Sequence, residues 1–233
     1  MNKKTPLLYK ISFFWGVVLL SSLILSACGN KNSNNTENNT VTNQENASTT
    51  SNQSTSTSAS SSSSTFTPLD IKLDDKSFGS IASIGENETN ITVKDQNITG
   101  RLSKNDKTKY YNASGDVIAE VKYKETGFKL RKPDGTLLWK IKVKENKVKV
   151  SDNAENQNPY EIKKKEGRYK IKRMEKEYGK VTFDGNQVKI KSESGTYKLE
   201  SNTDSYAYGV LVIDEIPAEH RMIIIAELLK GKK

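Results

Sequence analysis

Apolar and polar residues alternate over much of the second half of this chain. Residues 141–150 read IKVKENKVKV, in which apolar positions alternate with lysine, stop at a short polar turn, and then alternate again. Strict alternation with β-branched residues is typical of strands that are buried on one face only. The pattern therefore predicts β-hairpins with an apolar inner face and a lysine-rich outer face.

The same hairpin recurs along the chain. Residues 115–130 (GDVIAEVKYKETGFKL) align without a gap on residues 135–150 (GTLLWKIKVKENKVKV), and residues 161–171 and 187–199 repeat the second half of this unit. The core strands of the four copies start at Val121, Ile141, Ile162 and Val188. Internal repeats of this kind are the first guide to a fold, and these predict a series of hairpins.

Turn signals separate the predicted strands. Pro133-Asp134-Gly135 and Asp184-Gly185-Asn186 are examples, because Gly and Asn accept positive φ. Turns recur about every 8 to 12 residues, the spacing of an antiparallel meander. A further hairpin is predicted over residues 91–102, and a last strand is predicted near Tyr206–Ile213.

The carboxyl end has a different pattern. Pro217 suits a first helical turn, and residues 222–229 (MIIIAELL) are apolar on nearly every side, which predicts a helix over residues 216–230. A helix that is apolar all round must be enclosed, and a closed sheet can enclose it. The predicted fold is mainly β: an antiparallel hairpin meander that closes into a barrel around a C-terminal apolar helix. A β-sandwich, or a lipocalin-like barrel with an external helix, is the alternative.

A chain of short antiparallel strands followed by an apolar helix resembles the tubby C-terminal-like fold, which includes LURP-one-related and scramblase-like proteins. The resemblance rests on the hairpin rhythm, with stretches such as YYNASGDVIAEV and LRKPDGTLLWKI, and on the terminal helix. It implies a barrel that wraps a central helix. Some eukaryotic members are associated with phosphoinositides or phospholipid movement, but none of their ligand-binding residues can be placed on this sequence.

The amino terminus predicts export. Lys3, Lys4 and Lys10 precede an apolar run that ends at LSAC, residues 25–28. This is the layout of a signal peptide, predicted here as residues 1–27, and the run is short for a spanning helix. LSAC resembles the lipobox of bacterial lipoproteins, which implies cleavage before Cys28 and lipidation of its thiol. The predicted location is a bacterial membrane: the outer membrane or periplasmic side in a diderm cell, and the outer leaflet of the cell membrane in a monoderm.

Composition divides the exported chain into two parts. Residues 28–65 are built almost wholly of Asn, Ser, Thr and Gln, so they are predicted to be a disordered tether after the lipidated cysteine. Residues 66–233 are predicted to form one β-rich domain, a length that supports a single core. Cys28 is the only cysteine, so no intrachain disulfide forms.

Lysine occupies equivalent columns in the repeated hairpins and is the candidate binding chemistry. Residues 115–200 contain 22 Lys or Arg against 14 Asp or Glu, so the positive charge is concentrated in the hairpins. A third column holds Lys129, Lys149, Lys170 and Lys198. The candidate residues for binding an anionic surface are those of the first two columns: Lys122, Lys124, Lys142, Lys144, Lys163, Lys165, Lys189 and Lys191.

Two interpretations of these columns stay open. Lysines of this kind could hold anionic lipid or an acidic envelope polymer, or they could simply keep the wet face of a sheet soluble and block edge pairing. A nucleic-acid partner is not predicted, because the chain is exported. Protein partners are not identified by the sequence.

Catalytic chemistry is nearly absent from the sequence. His220 is the sole histidine, no free thiol accompanies it in the predicted domain, and no Gly-rich phosphate loop or Gly-x-Ser-x-Gly elbow occurs. We predict no catalytic residues, no metal site and no cofactor. The predicted function is a membrane-tethered, non-catalytic binding or structural module, and the alternative is an envelope hydrolase whose site is not recognised.

Overall fold

Fourteen antiparallel strands form the wall of a closed barrel. The computed structural model of the chain describes residues 66–85 and 87–231. The predicted signal peptide, the predicted tether and Cys28 lie outside the described residues. The mainly β fold predicted from the alternating pattern is therefore confirmed for the folded domain.

The strands follow chain order around the barrel, and β1 closes it by pairing with both β2 and β14. Each neighbour is antiparallel, so every connection within the wall is a hairpin. The strand bounds are β1 Leu69–Leu73, β2 Lys76–Ile84, β3 Glu88–Val93, β4 Gln96–Lys104, β5 Lys107–Tyr111, β6 Val117–Lys124, β7 Gly127–Arg131, β8 Leu137–Lys144, β9 Lys147–Ser151, β10 Tyr160–Lys165, β11 Arg168–Arg173, β12 Lys176–Asp184, β13 Gln187–Ser192 and β14 Gly195–Glu200.

The four aligned copies are four hairpins of this wall. They correspond to β6–β7, β8–β9, β10–β11 and β13–β14, and the hairpin predicted over residues 91–102 is β3–β4. The residues that start each copy face the interior and are at most 2% exposed, namely Val121, Ile141, Ile162 and Val188. The alternation therefore places apolar residues on the inner face and lysines on the outer face, as the sequence predicted.

The terminal helix, α1, runs from Ala218 to Leu229 and fills the barrel. It begins and ends within two residues of the predicted helix. Met222 to Ala226 are completely buried, although these five consecutive residues occupy every side of the helix. The prediction that the sheet encloses an apolar helix is confirmed, and the alternatives with an external helix do not apply.

The strand predicted near Tyr206–Ile213 is wrong. Residues Tyr206–Val212 form a 3-10 helix, η1, which begins where the Ser205 hydroxyl accepts a hydrogen bond of 3.1 Å from the Ala207 amide. Pairing of β14 with β1 closes the wall, so no sheet edge remains for a further strand. The segment packs inside the barrel instead. Gly209 permits this close packing, since a Cβ there would lie 2.6 Å from Ile162 Cγ2.

Candidate anion-binding wall

The eight predicted lysines lie on the outer face of the barrel. All are exposed except Lys142, which is half-buried, because each alternates along its strand with residues that face the core. They do not form one patch, however. Strands β6 and β13 are seven steps apart in a closed wall of fourteen strands, so Lys122 and Lys124 lie across the barrel from Lys189 and Lys191.

Strand register brings a different set of lysines together. From β8 to β13, each strand places one lysine directly opposite a lysine of the next strand. We call this set the lysine row: Lys144, Lys147, Lys163, Lys170, Lys180 and Lys191.

Half of the lysine row was predicted and half was not. Lys144, Lys163 and Lys191 belong to the predicted columns, whereas Lys147 and Lys180 belong to no column and Lys170 belongs to the third. Hairpin alignment compares residues along the chain, while the row is set by pairing between strands, including a register shift between β11 and β12. Lys147 could have been found from the sequence alone, by counting the outward-facing positions on both sides of the tight turn between β8 and β9.

Like charges directly opposite each other destabilise a sheet, so the row carries an energetic cost. Two of its members have acidic partners: Lys147 Nζ lies 3.1 Å from Glu161, and Lys170 Nζ lies 3.6 Å from Glu177. Within the described part of the chain, the other four have no acidic group within 4.0 Å: Lys144, Lys163, Lys180 and Lys191.

The neighbouring row on the same strands has the opposite arrangement. From β9 to β12, Lys149, Glu161, Lys172 and Glu177 face one another in turn. We call this the alternating row. Lys149 Nζ lies 2.8 Å from Glu161, and this hydrogen bond, with that from Lys147, lowers the pKa of the Glu161 carboxyl. The same wall therefore has alternating charges at the next outward-facing position along its strands, whereas only two of the six lysines of the lysine row have an acidic partner.

A shallow groove lies over the middle of the lysine row. It has a volume of about 550 Å³ and crosses β10 and β11. Five of its six lining residues are lysines: Lys163, Lys164, Lys165, Lys170 and Lys172, with Glu161 as the sixth. A concave surface lined mainly by ammonium groups can hold phosphate or carboxylate groups through charge-assisted hydrogen bonds.

Two charged residues of α1, Arg221 and Glu227, are buried inside the barrel. The sequence analysis identified neither of them. Glu227 accepts hydrogen bonds from the hydroxyls of Tyr110 and Tyr123, and Lys230 Nζ lies 2.8 Å from it. Their signal in the sequence was a charged residue at each end of an apolar helix. Because buried charges require partners, the Glu227 cluster anchors one end of α1 to the wall.

The other end of α1 is anchored by Arg221. Its guanidinium donates to the Tyr197 hydroxyl and the Leu211 carbonyl, both at 2.9 Å, and lies 3.1 Å from Asp214. Phe78 presents its ring face 5.2 Å from the guanidinium carbon. Structural contacts within the barrel thus occupy both buried charged residues of α1.

His220, the sole histidine of the sequence, lies in the first turn of α1. Its ring is half-buried at the start of α1, and burial lowers the pKa of the imidazole. No three His, Cys, Asp or Glu side chains among residues 66–85 and 87–231 lie close enough together to hold a metal ion. In the same residues, no helix is long and apolar enough to cross a membrane.

Comparison with known proteins does not assign this chain to a family. No protein-family model, curated protein or solved structure gives a significant match. The resemblance to tubby-like proteins and to bacterial lipoproteins therefore stays a prediction.

Proposed function

We propose that this protein is a membrane-tethered, non-catalytic binding module whose barrel wall binds an anionic partner. The observation that carries the proposal is the lysine row, in which six strands in succession place lysine opposite lysine. A surface selected only for solubility gains more from alternating charges, as in the alternating row, because opposite-charge pairs stabilise neighbouring strands. A partner with phosphate or carboxylate groups would relieve the repulsion.

The binding chemistry is electrostatic attraction between ammonium groups and anions. Each lysine near an anionic surface contributes about 1 kcal/mol, and salt weakens this attraction over a Debye length of about 10 Å at 0.1 M. Anionic lipid headgroups and acidic envelope polymers share the required chemistry. A weak contribution from each of several lysines gives reversible binding that depends strongly on ionic strength.

The tether is the second part of the proposal. It rests on LSAC at the end of an apolar run, which is the motif that predicts lipidation of Cys28. Two or three acyl chains hold a protein durably to a bilayer, whereas one holds it only marginally. A lipidated Cys28 would keep the barrel near the membrane surface, on the predicted exported side, where its wall meets anionic envelope components.

The proposal is tested by binding of residues 66–233 to anionic and neutral probes. The fragment retains the closed wall and the helix that fills it, so every described core contact is present. We expect binding to anionic vesicles, to linear polyphosphate, or to both at low salt, with weaker binding at about 0.15 M salt. Flotation measures the first and fluorescence anisotropy the second.

Vesicles of neutral phosphatidylcholine are the matched control, since they present the same bilayer without net charge. We expect no flotation of the fragment with them. Failure to bind either anionic probe at low salt, or equal binding to neutral and anionic vesicles, would contradict the proposed function.

A further inference from the structure

The lysine row is one residue wide. Each strand from β8 to β13 contributes a single lysine, and adjacent strands of a sheet are about 4.8 Å apart. Five strand-to-strand steps therefore give a row of about 24 Å along the wall. The alternating row lies on one side of it and has no net charge. On the other side, Lys165 and Arg168 share Glu166, at 3.8 and 2.8 Å. The excess positive charge on β9 to β12 is therefore concentrated along the row.

The row crosses the wall diagonally. Lys144 is the last residue of β8, and Lys191 is the last but one of β13. Since β8 and β13 run in opposite directions around the antiparallel meander, these two lysines lie toward opposite ends of the barrel. Staggered pairing in a closed barrel produces this path, because tilted strands shift the register steadily around the wall.

The shape of this path distinguishes among anionic partners. A planar bilayer touches a convex wall along a strip parallel to the barrel axis, whereas the row turns around the wall as it crosses it. A flexible chain can follow both the turn and the groove over β10 and β11. A linear array of lysines one strand apart also suits a ligand whose charges repeat along one dimension.

We propose that the lysine row is the binding track of a single linear polyanion, a chain polymer that carries phosphate or carboxylate groups at short, regular intervals. This inference rests on the proposed function and deepens it, because it names the physical form of the anionic partner. Lys144, Lys163, Lys180 and Lys191 are the positions at which the track has no competing acidic group within 4.0 Å among the described residues.

Binding along the whole row has a measurable salt signature. Each ammonium group that neutralises a charge on a flexible polyanion releases a counterion, which contributes about −0.7 to the slope of log affinity against log salt. Occupation of all six lysines predicts a slope of about −4. A chain too short to span about 24 Å contacts fewer lysines, so both its affinity and its slope are smaller.

The test uses residues 66–233 and two triple variants with the same loss of charge. The row variant combines Lys163→Gln, Lys180→Gln and Lys191→Gln. The off-row variant combines Lys72→Gln, Lys76→Gln and Lys124→Gln, which are exposed lysines of β1, β2 and β6. Thermal melting of each variant establishes that it is folded before binding is compared.

We titrate each protein with fluorescent inorganic polyphosphate of two lengths, one shorter and one longer than the row, across a range of salt. The long chain should bind the parent more tightly than the short one, even after correction for the number of phosphates. The row variant should lose at least tenfold in affinity for the long chain, and its salt slope should fall by about 2. The off-row variant should lose less than threefold and keep the slope.

Three results would overturn this inference while the proposed function stands: binding to anionic vesicles without binding to polyphosphate, equal losses in the two triple variants, or affinity that does not depend on chain length beyond the number of phosphates. Loss of binding to vesicles and to polyphosphate in the folded parent would remove the proposed function as well. The two failures are therefore distinguishable.

Discussion

Replacing Ile224 with aspartate is expected to abolish cooperative unfolding. Ile224 is completely buried in the middle of α1, the helix that packs against η1 and against β2 and β3 of the wall. A buried carboxylate without a partner costs several kcal/mol, and the total stability of a domain is about 5 to 15 kcal/mol. Thermal and denaturant unfolding, followed by circular dichroism, should change from a sharp transition to a broad or absent one.

The matched control is Ile224→Leu, which keeps the volume and apolar character of the side chain. It is expected to cost less than about 1.5 kcal/mol and to keep a sharp transition. A sharp melt of Ile224→Asp close to that of the parent would show instead that the helix is not the core of the barrel.

Alkaline pH is expected to destabilise the barrel strongly. Five tyrosines have their pKa raised above 10.0, mainly because burial disfavours the phenolate: Tyr110, Tyr123, Tyr160, Tyr169 and Tyr208. Neighbouring carboxylates raise several of these pKa values further, as Glu227 does for Tyr110 and Tyr123. The folded barrel therefore holds these five phenols neutral at pH values where an unfolded chain ionises them.

The direction follows from linkage between proton binding and folding. Because the folded pKa is raised, each tyrosine contributes stability below pH 10, and this contribution is lost as pH rises from about 10 toward the folded pKa. Above the unfolded pKa, each such phenol lowers the free energy of unfolding by about 1.4 kcal/mol per pH unit. Urea midpoints measured from pH 8 to pH 11.5 should therefore fall steeply above pH 10.

Lysines also titrate in this range, so one tyrosine must be isolated. Tyr169→Phe removes the Tyr169 phenol, which donates to Asp204 at the rim of the barrel. The variant should be less stable than the parent at pH 8. Above pH 10 its free energy of unfolding should fall less steeply than that of the parent, by about 1.4 kcal/mol per pH unit, the contribution of one phenol proton. Parallel pH profiles for the two proteins would contradict the assignment of a raised pKa to Tyr169.

The sequence predicted the wall and the helix because each has a local periodic signal. Alternation at Val121 and Ile141 identifies strands, and an uninterrupted apolar run from Met222 requires enclosure on all sides. Together these two facts imply a closed sheet around a helix.

Other features depend on contacts between distant parts of the chain. Tyr206–Val212 has the composition of a strand, and it becomes a 3-10 helix because the closed wall offers no edge. Likewise, Glu227 is stabilised by Tyr110, which lies 117 residues earlier. Local propensity carries no information about either relation, so both had to come from the structure.

The candidate site shows the same division between local and distant information. Alternation alone places Lys122 and Lys163 on the outer face, and this part of the prediction is confirmed. Which lysines lie side by side depends on register, and a bulge between β11 and β12 shifts that register before Lys180. A one-residue change in pairing moves every side chain to the opposite face, so the lysine row was not available from the hairpin alignment.

The central claim, that the lysine row binds a linear polyanion, is tested most directly by lysine footprinting. Residues 66–233 are acetylated briefly with and without saturating long polyphosphate at low salt, and the extent of modification at each lysine is measured by mass spectrometry. We expect strong protection of Lys163, Lys180 and Lys191, with little change at Lys72 and Lys76. Unchanged modification of the three row lysines under these conditions, or equal protection of row and off-row lysines, would contradict it.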